Sequence, residues 1–142
     1  MTNPTGETSR ADPVTASESS TAEDTTILLV EDEETVRKVI ERLLRKLGYE
    51  VESASDAEEA IEIFTKRNEE FDLVLTDVVM PGLTGVEMSE VLKKQRPDMK
   101  FLFTSGYTSK ELGGNPEAPP EPFLPKPFSM DELSRSVREA LK

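Results

Sequence analysis

From residue 27 onward, short apolar runs alternate with longer stretches whose apolar residues recur at helical spacing. The first run is Ile27-Leu28-Leu29-Val30. Val36, Val39, Ile40, Leu43, Leu44 and Leu47 follow with the period of an amphipathic helix, and Gly48 stands where a helix most often ends. A second strand is predicted over 49–54. Ser55-Asp56-Ala57-Glu58 has the form of a capping box, and Ala57, Ala60, Ile61 and Phe64 make one stripe behind it. Leu73–Thr76 predicts a third strand. Thr84-Gly85-Val86-Glu87 is another capping box, ahead of Met88, Val91 and Leu92. Strands are predicted over 100–105 and 122–125, and Ser129-Met130-Asp131-Glu132 opens a last helix with Leu133, Val137 and Leu141 on its apolar face.

Runs that are apolar throughout, rather than alternating, indicate strands buried on both faces. Strands alternating with helices then imply a parallel sheet with right-handed crossovers, an α/β sandwich of five strands. The rhythm breaks over Thr108–Glu121, where Gly113-Gly114-Asn115-Pro116 and Pro119-Pro120 disfavour a helix. The fourth helix is expected to be a single turn at most, or replaced by a loop. Residues 1–25, rich in Thr, Ser, Glu and Pro, have too few large apolar side chains to offset the entropy of ordering. They are expected to form a disordered arm or linker, leaving 26–142 as the domain.

Composition narrows the chemistry. The 142 residues suffice for one domain, and 35% hydrophobic against 32% charged residues is a globular balance. There is no cysteine and no histidine, which excludes disulfides, thiolate or imidazole metal ligands and a Ser-His-Asp triad. Carboxylates, Lys, Arg, hydroxyls, backbone amides or a hard metal ion must do any chemistry. Of the net charge of −12, −4 lies in residues 1–24 (Glu7, Asp12, Glu18, Glu23 and Asp24 against Arg10), leaving −8 for the rest. So acidic a body argues against direct nucleic-acid binding. No apolar run approaches the ~20 residues of a membrane span, and no basic segment leads into an apolar one, so a cytoplasmic protein without membrane contact is expected.

Four of the strand-like runs end in groups suited to phosphoryl chemistry. Glu31-Asp32 follow the first run, Asp77 the third, Ser105 the fourth and Lys126 the fifth. In an open α/β sheet ligands bind beyond the carboxyl ends of the strands, so these endings are expected to converge. Asp77, at the end of the central strand, is the candidate nucleophile, since a carboxylate can attack phosphorus to form an acyl phosphate. An aspartate before a Pro-Gly turn is also a common turn residue, but one accompanied by the other three endings is not. Glu31 and Asp32 would crowd negative charge around Asp77, which a hard divalent ion relieves. Lys126 would place positive charge by a transferring phosphoryl group.

Glu31-Asp32, Asp77-Val78-Val79-Met80-Pro81-Gly82, Ser105-Gly106 and Lys126-Pro127 together resemble the receiver domain of two-component response regulators, over Ile27 to about Leu141. The resemblance implies a flavodoxin-like fold with strand order 2-1-3-4-5, Mg²⁺ held by Glu31, Asp32 and Asp77, and Asp77 phosphorylated by a phosphohistidine on a sensor histidine kinase or a histidine phosphotransfer protein. It implies a cis Lys126–Pro127 peptide, a hydroxyl donated by Ser105 rather than its neighbour Thr104, and an aromatic switch at Phe123, for which plain core packing is the alternative. Such a module is not a turnover enzyme; it catalyses only its own phosphorylation and dephosphorylation. Glu31 departs from the family's more usual paired aspartates. The stretches 103–108 and 123–128 resemble receivers at the C-terminus of hybrid sensor kinases, so both a stand-alone and a hybrid-kinase context are open. Two other classes make different demands on these residues. An aspartyl-phosphate phosphatase of the haloacid-dehalogenase type would want an aspartate where Val79 stands, and a non-phosphorylated pseudo-receiver would show a degraded acidic pocket.

Overall fold

Strands and helices alternate along the chain as β1 (Thr26–Val30), α1 (Glu34–Lys46), β2 (Glu50–Ala54), α2 (Ala57–Arg67), β3 (Leu73–Asp77), α3 (Gly85–Gln95), β4 (Phe101–Ser105), β5 (Phe123–Pro125) and α4 (Met130–Leu141). The computed structural model describes residues 25–105 and 122–142. The expected arm, apart from Thr25, and the expected short fourth helix lie outside the described residues. Five parallel strands pair in the order β2-β1-β3-β4-β5, the flavodoxin-like order. Among the described residues, no helix is long and apolar enough to cross a membrane.

The two faces of the sheet bury separate apolar sets. Ile27, Leu29, Leu73, Leu75, Leu102 and Leu124 face Ile40 and Leu44 of α1 and Leu133 and Val137 of α4. Leu28, Val30, Val74, Phe101 and Phe103 face Phe64 of α2 and Met88 and Leu92 of α3. Alternation along a strand produces this division, and both faces being covered explains why the runs are apolar throughout. Burying a leucine side chain contributes about 1.5–3 kcal/mol. The fold therefore rests on these two layers, and the polar ends of the strands are left for other work.

Helix starts follow the predicted chemistry with one shift. Thr84 and Ser129 form reciprocal capping boxes with Glu87 and Glu132. Before α2, however, Asp56 rather than Ser55 caps: its carboxylate accepts from Glu59 N at 2.8 Å, and Glu59 reaches back to Ser55 N at 2.8 Å. Asp and Ser are comparable caps, so the sequence alone left the register of this box one residue open. Gly48 takes φ 101° after α1, as the helix end requires. Val39, grouped with the buried stripe of α1, is instead 48% exposed, because it lies at the edge of the arc defined by Ile40 and Leu44.

Candidate functional site

The strand register carries three polar residues into one row at the carboxyl edge of the sheet. Val30 pairs with Thr76, so Glu31 comes level with Asp77; Asp77 pairs with Thr104, and Thr104 with Leu124. Leu29, Leu75 and Leu102 lie on the α1/α4 face, and two residues further along each strand Glu31, Asp77 and Thr104 return to it. Lys126, two residues after Leu124, rejoins the same side from β5.

These side chains meet. Lys126 Nζ donates to Glu31 Oε1 at 3.0 Å and to Asp77 Oδ2 at 3.4 Å. Glu31 is 1% exposed and Asp77 2%. Asp32 lies nearer solvent, and one carboxylate oxygen from each of Glu31, Asp32 and Asp77 falls within 4.8 Å of the others. The Lys126–Pro127 peptide is cis. Ser105, one residue past Thr104, alternates to the opposite face, where Phe103 lies and Phe123 packs half-buried. Glu31, Asp32, Asp77 and Lys126, four of the predicted site residues, thus come together, while Ser105 and Phe123 share the other side of the sheet.

Backbone groups hold the acids in place. Glu31 Oε2 accepts from Glu33 N at 3.2 Å, and the Arg37 guanidinium donates to the Glu31 carbonyl at 2.8 Å. Asp77 Oδ1 accepts from Val79 N at 3.3 Å. Burial pushes the carboxyl of Glu31 upward, the charge of Asp77 adds to this, and the bond to Lys126 opposes it. Burial likewise raises Asp77, with a contribution from Asp32, against the lowering effect of Lys126. For the Lys126 ammonium burial acts downward, but its bond to Glu31 and the charges of Asp77 and Glu31 prevail, so it is raised and stays charged at neutral pH. One ammonium therefore leaves a cluster of three carboxylates under-compensated. That donor set, oxygen only and close-spaced, fits a hard divalent cation.

Gly85, read in the sequence only as part of a capping box, has a second role. A Cβ at this position would overlap the Asp77 carbonyl oxygen and lie 3.1 Å from Val78 Cα. That carbonyl also accepts from the Thr76 hydroxyl at 2.9 Å, and Gly85 N donates to the Val78 carbonyl at 2.8 Å. The start of α3 is thus seated on the backbone of the candidate nucleophile. The available signal was a glycine at the first position of a helix, where its propensity is poor. Gly85→Ala is expected to cost about 1–3 kcal/mol through overpacking against rigid backbone, read as a lower midpoint in thermal unfolding. An unchanged midpoint would remove this role.

A parallel five-stranded sheet with acids and a lysine at its carboxyl edge is the architecture of a signalling receiver, and residues 27–138 match the family of response regulator receiver domains. The chain belongs to that family. The sensor kinase CckA of Brucella abortus is 43% identical over 118 residues, which are 82% of this chain but 12% of the kinase. The chain therefore spans a small part of that relative. The response regulator receiver protein CpdR of the same organism is 33% identical over 116 residues, 81% of this chain and 95% of CpdR. Among solved structures, the response regulator TrrA of Thermotoga maritima in complex with Mg²⁺-BeF superposes with a TM-score of 0.70 at 30% identity, covering 82% of this chain and 99% of TrrA. TrrA has also been crystallised in complex with the histidine kinase ThkA.

Proposed function

We propose that this protein is the phosphoacceptor receiver of a cytoplasmic two-component phosphorelay, with Asp77 as the residue phosphorylated. The observation that carries the reading is the Lys126 ammonium bridging two buried carboxylates, one of them at the end of the central strand. An Asp77 carboxylate oxygen attacks phosphorus, the P–N bond of a phosphohistidine breaks, and its bonding pair leaves with the imidazole nitrogen. Mg²⁺ held by Glu31, Asp32 and Asp77 would supply charge neutralisation at the phosphoryl oxygens. Lys126 offsets the remaining charge. Ser105, which rests on the Phe103 side of the sheet, would have to bring its hydroxyl round the carboxyl edge of β4 to meet the new phosphoryl group, and Phe123 and the adjoining loops shift in population. The TrrA–ThkA complex supports a histidine kinase as donor. The match to CckA supports a hybrid-kinase context and the match to CpdR a stand-alone one.

Incubation of the full chain with Mg²⁺ and acetyl phosphate, where a P–O bond breaks and acetate leaves, is expected to add the mass of one phosphoryl group, removable by hydroxylamine. No adduct would refute the reading. Val79, two residues after Asp77, presents no polar side chain to orient a hydrolytic water, and only its backbone N–H engages Asp77. The adduct is accordingly expected to persist for minutes or longer after acetyl phosphate is removed. A lifetime of seconds would show that water is oriented by another group.

A further inference from the structure

Thr104 is the one residue in the Glu31–Asp77–Thr104–Leu124 row whose polar group the resting structure leaves unused. It is 1% exposed, and its hydroxyl has no hydrogen-bond partner among the described residues. A buried hydroxyl without a partner is a standing cost, and such costs persist mainly where function requires the group. Its position supplies a reason. Lys126 starts from β5, yet its ammonium reaches Asp77 on β3 and Glu31 on β1. With strands about 4.8 Å apart, the side chain must cross β4. At that level the β4 residue on this face is Thr104, in register with Asp77 on one side and Leu124 on the other. The ammonium is thus held on Asp77, the residue with which Thr104 is directly paired.

The ammonium has three N–H groups, and Glu31 and Asp77 take two. Its shorter bond is to Glu31, which also belongs to the carboxylate trio. Any divalent cation that engages Glu31 competes with Lys126 for the same oxygens. Once that bond is given up, the longer bond to Asp77 alone holds the amine, and two of its N–H groups are left to find acceptors. We propose that Thr104 is a positioning residue for Lys126: its hydroxyl accepts from the ammonium and keeps it over Asp77 after Glu31 has released it. This rests on the phosphoacceptor reading above, and it concerns a hydroxyl distinct from that of Ser105, which alternates to the other face.

Thr104→Val keeps the shape and removes the hydroxyl; Thr104→Ser keeps the hydroxyl. In chelator-treated full-length protein, Thr104→Val is expected to unfold at the same temperature as wild type or higher, because the hydroxyl has no partner among the described residues. With Mg²⁺ and acetyl phosphate, Thr104→Val is expected to label about tenfold more slowly and Thr104→Ser at close to the wild-type rate, the size expected for one hydrogen bond to a charged group. Labelling of Thr104→Val within twofold of wild type would overturn the proposal. So would equal slowing in Thr104→Ser, which would indicate packing, or a drop of several degrees in the midpoint of Thr104→Val, which would indicate a partner at rest. Labelling of Asp77→Asn would instead refute the phosphoacceptor reading itself, and the two proposals would then fall together.

Discussion

Asp77→Asn is expected to abolish Mg²⁺-dependent labelling by acetyl phosphate while leaving a folded protein. The amide keeps the shape and the acceptor toward Val79 N but is no nucleophile toward phosphorus. The same substitution is expected to stabilise the metal-free protein. Asp77 and Glu31 both have carboxyl groups raised by burial and by their neighbours' negative charge, so in the folded state each holds its proton more tightly than in the unfolded chain. Such a group contributes stability that is present below its unfolded pKa, about 4, and is lost as pH rises through the folded value. The advantage of Asp77→Asn should therefore be absent in acid and grow toward neutral pH. Thermal unfolding in chelator across that range tests the stability part. Intact mass after acetyl phosphate treatment tests the chemistry, and labelling of the mutant equal to wild type would remove Asp77 from its role.

Lys126→Met is expected to give the largest loss of stability of any single change at the site. It leaves the buried carboxylates of Glu31 and Asp77 facing each other without the ammonium that bridges them. Breaking one partner out of a buried ionic cluster typically costs about 3–5 kcal/mol. Partial protonation of two carboxyls already pushed upward will reduce this at mildly acid pH, so the loss should be greatest at neutral pH. A fall in midpoint of roughly 10 °C or more is expected in chelator. Saturating Mg²⁺ should recover much of it, since a cation bound only by the folded state stabilises it by mass action. Equal midpoints for mutant and wild type in chelator would show that the bridge carries little energy. Labelling should also fall sharply even in Mg²⁺, because the charge opposite the transferring phosphoryl group is gone.

Much of this was legible in the sequence because the relevant signals are local. Ile27–Val30, Leu73–Leu75 and Phe101–Phe103 announce buried strands by their composition, and the Thr84 and Ser129 boxes fix two helix starts to the residue. The carboxyl-edge rule then brings Glu31, Asp77 and Lys126 to one place without any knowledge of distances. What stayed hidden depends on register between strands distant in sequence. Nothing in the string around Thr104 says that it stands level with Asp77. Nor does Thr84-Gly85-Val86-Glu87 reveal that the glycine is packed on the peptide of Asp77. Val39 and the cap of α2 escape the sequence for a smaller reason: one residue along a helix rotates a side chain from the edge of the buried arc into solvent, and Ser55 and Asp56 are both competent caps one residue apart.

The seating of Gly85 against Asp77 also constrains how relatives of this chain can diverge. The segment 78–84 leaves the sheet at Asp77 and returns to the same peptide, closed by the bond from Gly85 N to the Val78 carbonyl. Its length is thereby fixed at both ends. Side chains such as Leu83, which is 36% exposed, are free to vary and so to tune specificity. An insertion or deletion there would unseat the helix and the acid together, so homologues should differ in this loop by substitution and almost never by a gap.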